Sequence, residues 1–281
     1  MFDTSKIAAA IQKAYEYEHP DEFQELPEEL FTVLNYLPEL FQDDSEEKYI
    51  DALSLAMQTS YENGLYQFAY IQYHMLFMTA VYFVLLKVSM IHKEEMNKAL
   101  FYLLRDRYKD FYGVENTKNG KLYFGSFAAI GESDVFMLLR IIGMDSDLGG
   151  ELKKFVQERN RYAHANGQLQ LTSEDYFLEK IRNFNNKIEK VFVLLKNDIL
   201  SLYHETICDP DFYDPDTRAY IESDQQVQEE FVRKFSLSRI ELNWCRKFDI
   251  KQFKTLVGYE HIKGLHIALC DYYKTLFDEE K

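Results

Sequence analysis

The chain has 281 residues, 47% hydrophobic and 16% aromatic with only 11 Gly and 5 Pro, which supplies a large core and few loops. Its length exceeds that of a usual single helical domain, so one core with an appendage, or two domains, is expected. The formal net charge of −15 excludes a general phosphate-binding surface, because nonspecific nucleic-acid affinity comes from Lys and Arg; any RNA or DNA contact must be local.

Apolar residues recur at steps of three and four, and alternation at two is rare, so the fold class is all-α. The opening MFDTSKIAAAIQKAYEYEH has acids and a lysine within a helical pattern and no basic-then-apolar signal architecture. Two acidic helical stretches precede Gly64, parted by the turn-prone DDSEE at 43–47. An apolar helix follows over about 64–92. Its strongest membrane candidate, 75–91, is interrupted at Lys87 and falls short of the ~20 residues a span needs, so a buried central helix is expected, with His74, Met75, Met78 and Met90 as packing.

Further helices are predicted over 94–111 and 133–142. Between them, 112–127 carries an Asn119-Gly120 turn signal and could hold a short hairpin or a loop. A segment at 148–167 is read as one helix capped by Asp145, Ser146 or Asp147 and stopped at Asn166-Gly167. A long helix enters through Thr172 or Ser173 and keeps Phe177, Ile181, Phe184, Ile188, Val191, Leu195, Ile199 and Leu202 on one face. Two Asp-Pro steps within 208–224 should end it. The expected organisation is an N-terminal helical segment at 1–63, a bundle at 64–207 and a C-terminal helical extension at 208–281. Cys208, Cys245 and Cys270 show no CxxC or metal-finger spacing and read as reduced thiols of a cytoplasmic protein.

Chemistry concentrates in LGGELKKFVQERNRYAHANG. At about 100° per residue Leu148, Leu152, Phe155, Val156, Tyr162 and Ala163 share a stripe, and Arg159 falls in its middle. A core-facing guanidinium must meet a carboxylate, reach solvent, or face a pocket for an anion. Asn160 and His164 lie one turn apart on the flank, so a fixed cation, an amide and a titratable imidazole converge near the helix end.

The string Arg159-Asn160-Arg161-Tyr162-Ala163-His164 resembles the RNxxxH signature of the HEPN family, over about residues 64–207. The resemblance implies metal-independent RNA cleavage by the substrate's own 2′-hydroxyl, without a cofactor. In that role His164 would be general base or acid, Arg159 would stabilise phosphate charge, and Asn160 would orient the phosphate or His164. Arg161 and Tyr162 would be candidate RNA contacts. It also implies a homodimer pairing two motifs, and a toxin or anti-phage effector restrained by a neutralising antitoxin or a trigger partner.

Blander readings stand beside these. Arg159 could pair with an interior acid such as Asp134, and His164 could be a helix-end histidine favoured by the dipole. The chain would then be a noncatalytic interaction module, or an acidic nucleic-acid mimic. His261 and His266 are five apart rather than four, and the acids at Asp209, Asp211, Asp214 and Asp216 are broken by prolines, so no metal site is expected. P-loop, dinucleotide and nucleophile-elbow motifs are missing from the sequence.

Overall fold

Helices follow the three-and-four spacing of the apolar residues through the computed structural model, which describes residues 26–164 and 169–278. The helical stretch expected at the extreme N-terminus and the Asn166-Gly167 stop lie outside the described residues. Among the described residues the only extended pairings are the isolated bridges Pro38 to Ser238 and Lys118 to Lys121, and the fold class is all-α.

Helix α1 spans Asp44–Glu62. The acidic run before it proves to be its start: Asp43 accepts a hydrogen bond from the Ser45 N–H at 2.7 Å, and Asp44, Glu46 and Glu47 fill the first turn at the positive end of the dipole. Helix α2, Tyr66–Ile91, is apolar and long enough to cross a membrane, yet 78% of its most apolar window is buried within the protein. Of its buried polar residues, Thr79 bonds the carbonyl of Met75 one turn back, whereas Gln67, His74 and Lys87 each find a partner on a distant helix.

Helix α3, Lys93–Leu104, ends seven residues before the sequence predicts, at Arg105 with φ 51°. The turn brings Phe111 into the core against Phe127, ring centroids 6.1 Å apart, which a straight continuation would not do. Asn119 and Gly120 then take φ of 51° and 73°, the paired left-handed geometry of a tight hairpin turn, and Lys118 and Lys121 exchange two backbone hydrogen bonds at 2.9 Å.

Short α4, Glu132–Leu138, and α5, Ser146–Ala163, lead to α6, Glu174–Cys208. The predicted face of α6 is buried from Phe177 to Ile199, and Asp209 and Pro210 end the helix as the Asp-Pro step requires. A short helix at Ser223–Val227 runs into a π-helical turn at Gln228–Arg233, and α7, Arg239–Cys245, and α8, Tyr259–Asp278, complete the chain. One contiguous buried cluster reaches from Leu30 to Leu269, so the stretches before Gly64 and after Cys208 share the core of the middle one. Its hub is Phe184, with the rings of Phe155, Phe77 and Tyr70 at 4.1, 5.1 and 5.3 Å.

The candidate active site

The last turns of α5 carry the sequence motif, and the position of that helix is over-determined. Asp145 caps it, accepting from the Leu148 N–H at 2.7 Å. Leu148, Leu152, Phe155, Val156 and Tyr162 are buried as the periodicity predicts, whereas Ala163 is exposed, because the helix unwinds there and the stripe no longer faces the core. Glu158 accepts from Lys180 at 2.8 Å and from the Tyr70 hydroxyl at 3.0 Å, tying α5 to α6 and α2 at once.

Arg159 meets Glu132 at the start of α4, not Asp134. Two residues apart on a helix are about 200° apart in direction, so only one of these acids can face α5. The Glu132 oxygen that receives the Arg159 Nη2 also bonds His74 Nε2 at 3.1 Å. His74, expected only to pack, is thus the buried end of an Arg159–Glu132–His74 chain.

The imidazole of His74 has no exposure and lies against Phe184 and Phe77, and its Nδ1 has no hydrogen-bond partner. The neutral tautomer with the proton on Nε2 fits this environment, since it donates to Glu132 and leaves only a lone pair, not an N–H, without a partner. Burial pulls the His74 pKa below its ordinary 6.5, against the opposing pull of the Glu132 carboxylate. For Glu132 burial pushes upward, but the hydrogen bonds and charges of His74 and Arg159 prevail and hold its pKa at about 2.

Arg159 is 25% exposed, and Glu132 is its only partner among the described residues. Several guanidinium N–H groups therefore remain free to donate. Asn160 and His164 are exposed, with no side-chain partner among the described residues. The His164 N–H bonds the Asn160 carbonyl at 3.2 Å, and His164 itself leaves the helix with ψ 137°. Arg161 is exposed and Tyr162 is buried edge-on against Tyr70, ring centroids 4.9 Å apart, so Arg161 can reach a ligand from this surface and the Tyr162 ring cannot stack on a base without repacking.

Sequence reasoning missed Glu132, His74 and Gln67. The amide of Gln67 donates to the Tyr162 carbonyl at 3.0 Å and accepts from the Gln170 N–H at 2.8 Å, so one α2 side chain clips both ends of the segment that bears His164. For His74 and Gln67 the available signal was their polarity within an otherwise apolar helix, because a polar group buried there demands a partner. A recess of about 800 Å³ bordered by Phe31, Leu34, Phe41, Leu55 and Arg239 includes none of the motif residues.

Comparison with family models, with curated proteins and with solved structures finds no match to this chain. What the fold and the cluster define is therefore a class, an all-helical protein with a half-open arginine–carboxylate–histidine chain beside an exposed amide and imidazole.

Proposed function

We propose that the chain is a metal-independent endoribonuclease of the HEPN type, with Arg159, Asn160 and His164 as its catalytic group. The observation that carries this reading is the availability of all three at one helix end. The guanidinium is anchored yet keeps free donors, while the amide and imidazole are exposed and unpartnered among the described residues.

In the proposed reaction the RNA 2′-hydroxyl attacks the adjacent phosphorus and the 5′-oxygen departs. One group takes the hydroxyl proton and another returns a proton to the leaving oxygen. Glu132 neutralises the single positive charge of Arg159, so one copy of the chain offers the phosphate little net attraction. A second copy across a twofold axis supplies the second His164, so that one imidazole can take a proton while the other gives one, and a homodimer is the proposed active form. Action as a toxin or defence effector, held silent by a neutralising partner or a trigger, follows from the family resemblance, and the cytoplasm is the compartment that the three free cysteines suit.

A second reading is favoured by one observation, the Arg159–Glu132 pair itself, which a purely structural bundle would also contain. Purified wild type, His164→Ala and Arg159→Ala, incubated with structured RNA in chelator, separate the two. Cleavage by wild type alone, leaving cyclic phosphate ends, supports the nuclease; intact RNA with all three supports the interaction module.

A further inference from the structure

The sequence leaves the end of α3 without a function, although it exposes aromatic residues that the core could have used. Met96, Leu100 and Leu104 bury one face of α3, so Phe101 and Tyr102 point away from it and are 56% and 77% exposed. The positive-φ turn at Arg105 then folds the chain back, and Tyr108 and Tyr112 extend the same row. Successive ring centroids from Tyr102 through Phe101 and the half-buried Tyr108 to Tyr112 lie 5.7, 5.5 and 5.3 Å apart, each ring standing edge-on to the next at 77°, 76° and 68°. The far end is fixed, because the Tyr112 hydroxyl donates to the Asn97 side chain at 2.6 Å. A contiguous apolar exposure of this kind in a folded chain marks an interaction surface.

The charge beside it narrows the partner. Arg105, Arg107 and Lys109 fall within five residues, all exposed and none with a carboxylate partner among the described residues, in a chain whose acids outnumber its bases 47 to 32. Asp106 lies between them and Asp110 follows directly, which leaves the stretch only slightly basic. So small an excess cannot hold a duplex by its phosphates, but it suits a single strand whose bases stack on the rings while a few phosphates meet the cations. Helix α3 also packs on α4, whose first residue is Glu132.

We infer that the row Tyr102, Phe101, Tyr108 and Tyr112, with Arg105, Arg107 and Lys109, is a stacking platform for single-stranded RNA. The choice of RNA rests on the nuclease reading; the choice of a single strand rests on the rings and charges alone.

Fluorescence anisotropy with a short, labelled, fully 2′-O-methylated single strand reads binding without cleavage. Wild type should bind, and the double variant Phe101→Ala/Tyr102→Ala should bind about tenfold or more weakly. Arg107→Ala/Lys109→Ala should flatten the salt dependence, its log–log slope falling by about 1. These positions are exposed, so an unchanged circular dichroism melt verifies folding. The platform is overturned by lack of binding to wild type, by equal affinity of the aromatic double variant, by preference for a duplex, or by sedimentation showing that the rings instead join two copies of the chain. Binding without any RNA cleavage would remove the nuclease and keep the platform, and cleavage that the aromatic variant leaves untouched would do the reverse.

Discussion

The cation–carboxylate pairs that meet Lys87 and His74 of the central helix differ in how completely they are closed. Lys87 and Glu241 are 1% and 0% exposed; Lys87 Nζ reaches both carboxylate oxygens at 2.8 and 2.6 Å, and the second oxygen also accepts from the Ser238 N–H and hydroxyl at 2.8 Å each. Burial pulls the Lys87 pKa down more strongly than the Glu241 charge raises it. That pair welds α7 to α2 and offers nothing to a ligand. Arg159 and Glu132 are each about a quarter exposed, and among the described residues most guanidinium donors have no partner. Closure makes a pair structural; a partial opening leaves the Arg159–Glu132 pair within reach of solvent, and under the proposed function within reach of a phosphate.

The sharpest way to break the comparison is to cut the sealed pair. Glu241→Ala strands a buried ammonium and uncaps α7, and should lower stability by about 3–5 kcal/mol in urea melts. The double change Lys87→Met/Glu241→Leu should recover most of that, since no charge is then left unpaired. A Glu241→Ala loss below that of an ordinary surface substitution would contradict the sealed description.

Glu132→Ala should cost about 1–3 kcal/mol, less than Glu241→Ala, because water can reach Arg159 while the His74 N–H stays buried. Under the proposed function it should also reduce RNA cleavage by freeing the guanidinium from its fixed position, an effect that Glu132→Gln tempers by keeping a hydrogen-bond acceptor.

Acid should weaken the half-open cluster in two steps. Both pKa values are depressed on folding, so both contributions exist above the unfolded value and fade as pH falls. For His74 the loss begins below its ordinary 6.5, when protonation would create an unpartnered buried N–H. For Glu132 it runs from 4.5 down to about 2. Melts of wild type and Glu132→Gln across this range should differ in the lower step, and coincident profiles would contradict the assignment.

The smallest effect on stability and the largest on activity should come from one substitution. His164→Ala removes an exposed side chain at a helix end and should change stability by no more than about 0.5 kcal/mol, yet under the proposed function it should abolish cleavage. A large loss of stability would place His164 in the fold rather than in the chemistry.

The helices were legible because burial of one face imposes a period that any aqueous fold must respect, and the long face of α6 appears as written from Phe177 to Ile199. The Asn119-Gly120 turn and the Asp-Pro stop were legible because they depend on the local backbone alone. The early break of α3 was not, since Arg105 takes a positive φ where the chain folds back and Phe111 enters the core against Phe127, a contact made outside the helix itself.

At the candidate site, the sequence by itself determined that an arginine would face inward and that an amide and an imidazole would share the end of its helix, because these are matters of spacing along one helix. Only the tertiary structure decided that Glu132 and not Asp134 would hold the arginine, that His74 would complete the chain, and that Gln67 would clip the segment bearing His164. Each is a meeting of helices far apart in sequence, selected by which residues must satisfy their polar groups once the core has closed, and periodicity within one helix carries no information about the identity of a partner on another.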